Sequence, residues 1–150
     1  MVPWNMAQEF AQLLSQRTGE RFRLPTEAEW EYACRAGSSS AYSFGAGVAR
    51  DQAVFDRPFN LPAEPFAPGG RKARRAQPRV RPGMHTDVAG GHPANAFGLR
   101  DMHGNVWEWC QDVYDAGFYG VSPRHNPVTR SGGNSRVLRG GSWVARAAAP

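Results

Sequence analysis

The sequence predicts a small α+β domain with two helices, short twisted strands and much irregular chain. Three observations predict it. Two helical segments with start and stop signals lie before residue 38. Short alternating runs appear only after residue 105. Between them, over residues 38–91, glycine, proline and alanine replace any periodic pattern. The length of 150 residues favours one domain. A chain of this size buries roughly two-thirds of its surface on folding, enough for a core.

The elements follow in order. Asn5 is the expected cap of the first helix, with Gln8 as its capping-box partner. Met6, Phe10, Leu13, Leu14 and Arg17 fall at helical spacing, which predicts an apolar face up to the last turn. Gly19 is the expected stop. Residues 22–24 read as a short extended piece ended by Pro25. Thr26 and Glu29 form a T-x-x-E capping box for the second helix. Glu27, Glu29 and Glu31 place negative charge where the helix dipole favours it. Trp30, Ala33 and Cys34 share one face of that helix, and Gly37 is expected to end it.

Over residues 38–91 only isolated aromatics such as Tyr42, Phe44 and Phe55 interrupt the glycine and proline. So long a stretch predicts a functional loop system or disorder. Residues 65–91 are its arginine-, proline- and glycine-rich part. A turn-rich run follows from Asn95 to Asn105. Residues 106–111 alternate, with Val106, Glu108 and Cys110 on one side and Trp107, Trp109 and Gln111 on the other. Arg136–Arg139 reads as a short strand.

The formal net charge is +5, and Lys72 is the only lysine. Arg71, Lys72, Arg74, Arg75, Arg79 and Arg81 concentrate that charge in one stretch. A polyanion binder would use such a stretch. No aromatic residue is interleaved for base stacking, so a solvated loop is the expected reading and nucleic acid is not an expected partner. No apolar run approaches the roughly 18 residues of a membrane span. Nothing near Met1 reads as a signal peptide, which leaves a cytoplasmic location as the default expectation. Two cysteines do not make a disulfide-rich scaffold, and no four cysteine or histidine ligands cluster for zinc. Neither a phosphate-binding P-loop nor a dinucleotide fingerprint is present. Cys34 and Cys110 sit on element faces and read as buried structural thiols.

One constellation carries chemistry. Asp101 and Glu108 are carboxylates separated by a Gly-Asn turn, and Gly104 and Val106 offer carbonyls between them. Calcium takes six to eight hard oxygen ligands of these kinds. An ordinary surface turn is the competing reading of the same spacing. A carboxylate pair can also flank a scissile glycosidic bond. Trp107 and Trp109 fall on the face opposite Glu108, which disfavours that alternative. His103 beside Asp101 resembles a base and its orienter, but no nucleophile accompanies them.

Three motifs carry a resemblance. They are Arg23-Leu-Pro-Thr-Glu-Ala-Glu-Trp-Glu-Tyr-Ala-Cys-Arg-Ala-Gly37, then Asn95-Ala-Phe-Gly-Leu-Arg-Asp-Met-His-Gly-Asn-Val-Trp-Glu-Trp109, then Arg136-Val-Leu-Arg-Gly-Gly-Ser-Trp143. In this order they resemble the formylglycine-generating enzyme, or sulfatase-modifying factor, family. The resemblance runs from about Val2 to Trp143, with the arginine-rich middle poorly matched. It implies a variant of the C-type-lectin fold. It also implies an oxidase that converts a sulfatase cysteine to formylglycine with oxygen and a copper ion held by two cysteines. Here those positions are Ala145 and Pro150, which supply no thiolate. The resemblance therefore implies a chain without that oxidase activity. Ser142 matches the family's active-site serine and Trp107 a pocket tryptophan, so both are expected to line a pocket without catalysing.

The same likeness implies a structural calcium ion on Asp101, Gly104, Val106 and Glu108. A second calcium site is expected to be lost, because Val54 stands where the family has an asparagine. The chain lacks the family's opening strands and its closing strand, so it is expected to be a partial domain, incomplete at both ends, with reduced stability. The expected partner is a protein or peptide, sulfatase-like if the parent is active, and the expected state is a monomer. The alternative is a calcium-stabilised, lectin-like binding module for protein or carbohydrate ligands.

Overall fold

The computed structural model describes residues 2–49, 51–55 and 85–144. The arginine-rich stretch over residues 71–81, most of the 65–91 loop, and the positions Ala145 and Pro150 lie outside the described residues. Among those described, the elements are α1 (Trp4–Thr18), α2 (Glu27–Arg35), β1 (Glu108–Val113), α3 (Phe118–Val121) and β2 (Arg136–Arg139). This is a small α+β arrangement, as the sequence predicts.

Helix α1 starts earlier than expected. Pro3 is its N-cap, in extended backbone with no side-chain cap bond, and the Asn5–Gln8 capping box does not form. Tertiary anchors fix the start instead. The Trp4 indole donates to the Cys110 carbonyl at 2.9 Å, and the Trp109 indole donates to the Val2 carbonyl at 2.9 Å. These anchors also set the helix's rotation. Trp4, Ala7, Ala11 and Leu14 turn inward and are partly buried. Met6, Phe10 and Leu13, expected on the inner face, are instead 54%, 66% and 57% exposed. The two stripes overlap at Leu14, and the indole bonds decide between them. Gly19 ends the helix as expected, in a left-handed conformation at φ 75.

Helix α2 follows its sequence signals. The Thr26 hydroxyl accepts from the Glu29 N–H at 3.2 Å, and the Glu29 carboxylate accepts from the Thr26 N–H at 2.8 Å. The helix closes on Ala36 in the left-handed region, one residue before the expected Gly37. Arg23 grips Glu29 with two bonds of 2.6 and 2.7 Å, and this pair holds the Glu29 carboxyl down at about 2. A depressed folded-state value means the contribution is full above the ordinary 4.5 and is lost as pH falls toward 2. Both side chains are about half exposed, so solvent screening keeps the pair near 1 kcal/mol or below. Glu29→Gln should remove this small acid-dependent step from denaturation curves recorded between those pH values.

The sheet has two antiparallel strands, with Glu108 opposite Arg139, Trp109 opposite Leu138 and Val113 opposite Arg136. A bulge lies between Trp109 and Val113. The strand begins two residues later than the expected alternating run. Val106 and Trp107 precede it and are exposed, so Val106 does not share the inner face. Cys110 and Asp112 are fully buried in alternate positions, and the alternation ends at the adjacent Val113, which is 3% exposed. The core is Trp30, Cys34, Cys110 and Val137, with Met102 packed against it. Residues 22–24 form no strand, but the adjacent Pro25 carbonyl accepts from the Gln111 N–H at 2.8 Å.

Asp112 joins two parts of the chain. Its carboxylate accepts from the Glu27 N–H at 2.8 Å and from the Thr129 N–H at 3.0 Å. The first of these donors is an unpaired N–H of the α2 N-terminus, where the helix dipole favours an anion.

Candidate functional site

The turn-rich run is fastened to α2 by Asn95. Its amide donates to the Ala33 carbonyl at 2.7 Å, and its side-chain oxygen accepts from the N–H groups of Phe97 and Leu99 at 3.0 and 3.1 Å. One side chain thus satisfies a carbonyl near the helix end and shapes the next turn.

Beyond this turn Asp101 takes a left-handed backbone conformation, φ 58. Its carboxylate accepts from the Gly90 N–H and lies 3.3 Å from His92 Nδ1. Among the described residues neither Asp101 Oδ1 nor His92 Nδ1 completes a hydrogen bond, although both atoms are buried. The imidazole facing Asp101 is therefore that of His92. His103, nearer to Asp101 in sequence, turns the other way and is a hydrogen-bonding residue. Its Nε2 lies 3.0 Å from Ser43 Oγ and 3.2 Å from the Ser43 N–H. Its ring packs edge-on against Tyr42 and Phe44. Burial lowers its pKa and favours the neutral imidazole.

Asn105 ties the second motif to the third. It is buried and left-handed, φ 63. Its side-chain oxygen accepts from the Asp87 N–H at 3.0 Å, its N–H donates to the Val54 carbonyl at 2.8 Å, and its carbonyl accepts from the Trp143 N–H at 2.9 Å. The neighbouring Gly104 N–H donates to the Gly140 carbonyl at 2.6 Å. This stitching sets Ser142 and Trp143 against the turn that precedes Trp107. Ser142 is buried and its hydroxyl has no hydrogen-bond partner among the described residues, whereas Trp107 is exposed.

Glu108 accepts from the Trp30 indole at 2.8 Å. Its pKa is raised, first by burial and then by the charge of Asp101, while the indole bond opposes the shift. The two carboxylates thus sense each other. The carbonyls of Met102 and Val106 converge beside Gly140, where an added Cβ would lie 3.8 and 3.6 Å from them. A buried Asp101 oxygen without a hydrogen-bond partner among the described residues, and nearby carbonyls, are donors of the kind a hard cation takes. Among the described residues no three histidine, cysteine, aspartate or glutamate side chains cluster for a metal, so such a site rests on carbonyls as well. The backbone of Val54 is engaged by Asn105, and its hydrocarbon side chain offers no ligand for a second ion.

A copper centre of two thiolates does not fit the residues present. Cys34 and Cys110 are free but buried in the core. Burial pushes their thiols up to about 11 and about 12. Such thiols are poor sources of thiolate at neutral pH.

Cys34 does face a cavity of about 210 Å³, lined by Trp30, Tyr42, Ser43, His103 and Arg139 among others. Sequence reasoning missed the pairing of Cys34 with His103, which lie 69 positions apart. It also missed Asn95, His92 and Asp112 as fasteners. For Asp112 the alternation of β1 held the signal, since it continues the inward series after Cys110.

A family described as the sulfatase-modifying factor enzyme 1-like domain matches residues 1–149. The chain is 33% identical over 152 residues to a formylglycine-generating enzyme of Streptomyces coelicolor, covering 95% of this chain and 41% of that protein. It is 34% identical over 145 residues to the serine/threonine-protein kinase pkn1 of Chlamydia caviae, covering 95% of this chain and 18% of the kinase. It is 33% identical over 144 residues to the inactive C-alpha-formylglycine-generating enzyme 2 of Bos taurus, covering 95% of this chain and 37% of that protein. The chain thus spans well under half the length of these relatives.

Proposed function

Because the chain belongs to the sulfatase-modifying factor enzyme 1-like domain family, we propose that it is a non-oxidising member, a calcium-stabilised, C-type-lectin-like module that binds a protein or peptide. The observation that carries the reading is the donor set. Gly140, Gly141, Ser142 and Trp143 keep the family pattern, but Ala145 and Pro150 stand where copper-binding cysteines are expected. The two cysteines the chain does have lie in its core. The exposed Trp107 supplies an aromatic surface for a peptide.

In this reading Asp101, Glu108 and the carbonyls of Gly104 and Val106 hold calcium, which relieves the repulsion between the two carboxylates. Calcium at about a hundred times its dissociation constant should stabilise the fold by about 2.7 kcal/mol. Asp101→Asn and Glu108→Gln should abolish that gain in calorimetry.

The deciding experiment mixes the chain with copper(I), oxygen and a cysteine-containing peptide of sulfatase type. Mass spectrometry should show the peptide thiol unchanged, while a change in tryptophan fluorescence that is lost in Trp107→Phe reports binding. Conversion of the thiol to an aldehyde would overturn the reading.

A further inference from the structure

We propose that the outward stripe of α1 pairs with the same stripe of a second copy of this chain, as an antiparallel helix pair about a two-fold axis. Met6, Phe10 and Leu13 are each more than half exposed, and α1 contributes no fully buried residue to the fold. Single apolar side chains on a surface need no partner, but a contiguous stripe of them marks an interaction face. This stripe is contiguous. Its steps are four, three and four residues, from Met6 to Phe10, Leu13 and Arg17. That alternation is the seam of a paired helix. At 3.6 residues per turn the seam lies about 110° round the helix from Trp4, Ala7, Ala11 and Leu14. The indole bond that seats α1 on its own domain therefore leaves the seam uncovered.

Charge selects the occupant and its direction. Glu9 borders the seam and Arg17 closes it, and both are exposed. Among the described residues neither has an ion-pair partner. A two-fold axis midway between Phe10 and Leu13 sets Phe10 opposite Leu13 of the second copy. It sets Arg17 level with Met6 of that copy, about 4.5 Å along the helix from its Glu9. The arginine stem can cover Met6 while its guanidinium meets the carboxylate. Symmetry makes this pair twice. A parallel arrangement would set Arg17 against Arg17 and Glu9 against Glu9, and like charges so placed repel. The seam is thus self-complementary only when antiparallel, as a closed two-fold dimer requires. Size sets the strength. A helix of 15 residues offers a face about 22 Å by 10 Å, short of the roughly 800 Å² per partner of a standard interface. The dimer is therefore of the weak class, in exchange with monomer at micromolar concentrations or above. This differs from the monomeric state expected from the sequence, and it does not depend on calcium or peptide binding.

Sedimentation equilibrium of the chain from micromolar to millimolar concentration, at low salt, should show reversible monomer and dimer with no larger species. Phe10→Glu should abolish the dimer. Phe10 is exposed, so circular dichroism should find the fold of that variant intact. Glu9→Arg and Arg17→Glu should each weaken dimerisation by about fivefold, since each reversal turns two exposed attractions into repulsions. The double variant should restore wild-type association, which a general loss of apolar contact cannot do. A dimer that survives Phe10→Glu, or a double variant no tighter than the single ones, would overturn the proposal. A chain that stays monomeric throughout would overturn it too. In that case lowered thermal stability of Phe10→Glu would mean that the stripe is covered from within the chain, and unchanged stability that it stays bare.

Discussion

Asp112→Ala should destabilise the domain by about 3 kcal/mol, since hydrogen bonds to a charged group are worth about 1.5–3 kcal/mol each. The carboxylate is 1% exposed and accepts from both Glu27 and Thr129. Its removal strands two N–H donors, one of them at the start of α2, in a site water does not reach. Asp112→Asn separates charge from geometry. One amide oxygen can satisfy Glu27 or Thr129 but not both, and the new NH₂ faces a donor. The asparagine variant should therefore recover only part of the loss. Urea denaturation of the two variants measures both quantities. Equal stability of wild type and Asp112→Ala would show that the link carries nothing.

Gly104→Ala should be as damaging for a different reason. An added Cβ would sit 2.1 Å from the Val54 carbonyl oxygen and 2.9 Å from its carbon. Those are backbone atoms fixed by the Asn105 N–H bond, so the strand of contacts must part. Gly104 also sits at φ +81, where a side chain is strained. Overpacking of this kind costs about 1–3 kcal/mol, and the backbone strain adds to it. Gly98→Ala is the control. Gly98 has the same φ of +81 but nothing within 4 Å of the added carbon. It should cost only the left-handed penalty of about 1–2 kcal/mol. If thermal unfolding finds the two substitutions equal, the close approach to Val54 is not decisive. In the calcium reading, Gly104→Ala should also weaken calcium binding by displacing the carbonyl.

What the sequence makes legible follows the range of the interactions. The capping box of α2 lies within four residues, and it forms as read. The Arg136–Arg139 strand and the inward series Glu108, Cys110, Asp112 are likewise local patterns. The rotation of α1 is not local. Both of its stripes are plausible, and bonds to partners more than a hundred positions away choose between them. Helix α3 is four residues long and has neither a side-chain cap nor a buried residue to announce it. In the site, the spacing of Asp101 and Glu108 is local and readable. The imidazole that meets Asp101 is not, because His92 approaches from an earlier loop while His103, nearer in sequence, turns toward Ser43. A spacing rule reveals neighbours along the chain, but loop geometry decides which way an imidazole points.

The two indole anchors also set the order of events during synthesis. Helix α1 leaves the ribosome before β1, and the carbonyl that receives Trp4 lies 106 positions later. At about 5–20 residues per second, the helix waits roughly 5–20 s for its seat to be made. Through that interval both of its apolar stripes face solvent, and only one is covered when β1 arrives. The helix cannot dock until β1 is made, and nascent chains halted before residue 110 should leave its Trp4 stripe, which the finished domain covers, open to proteases and chaperones.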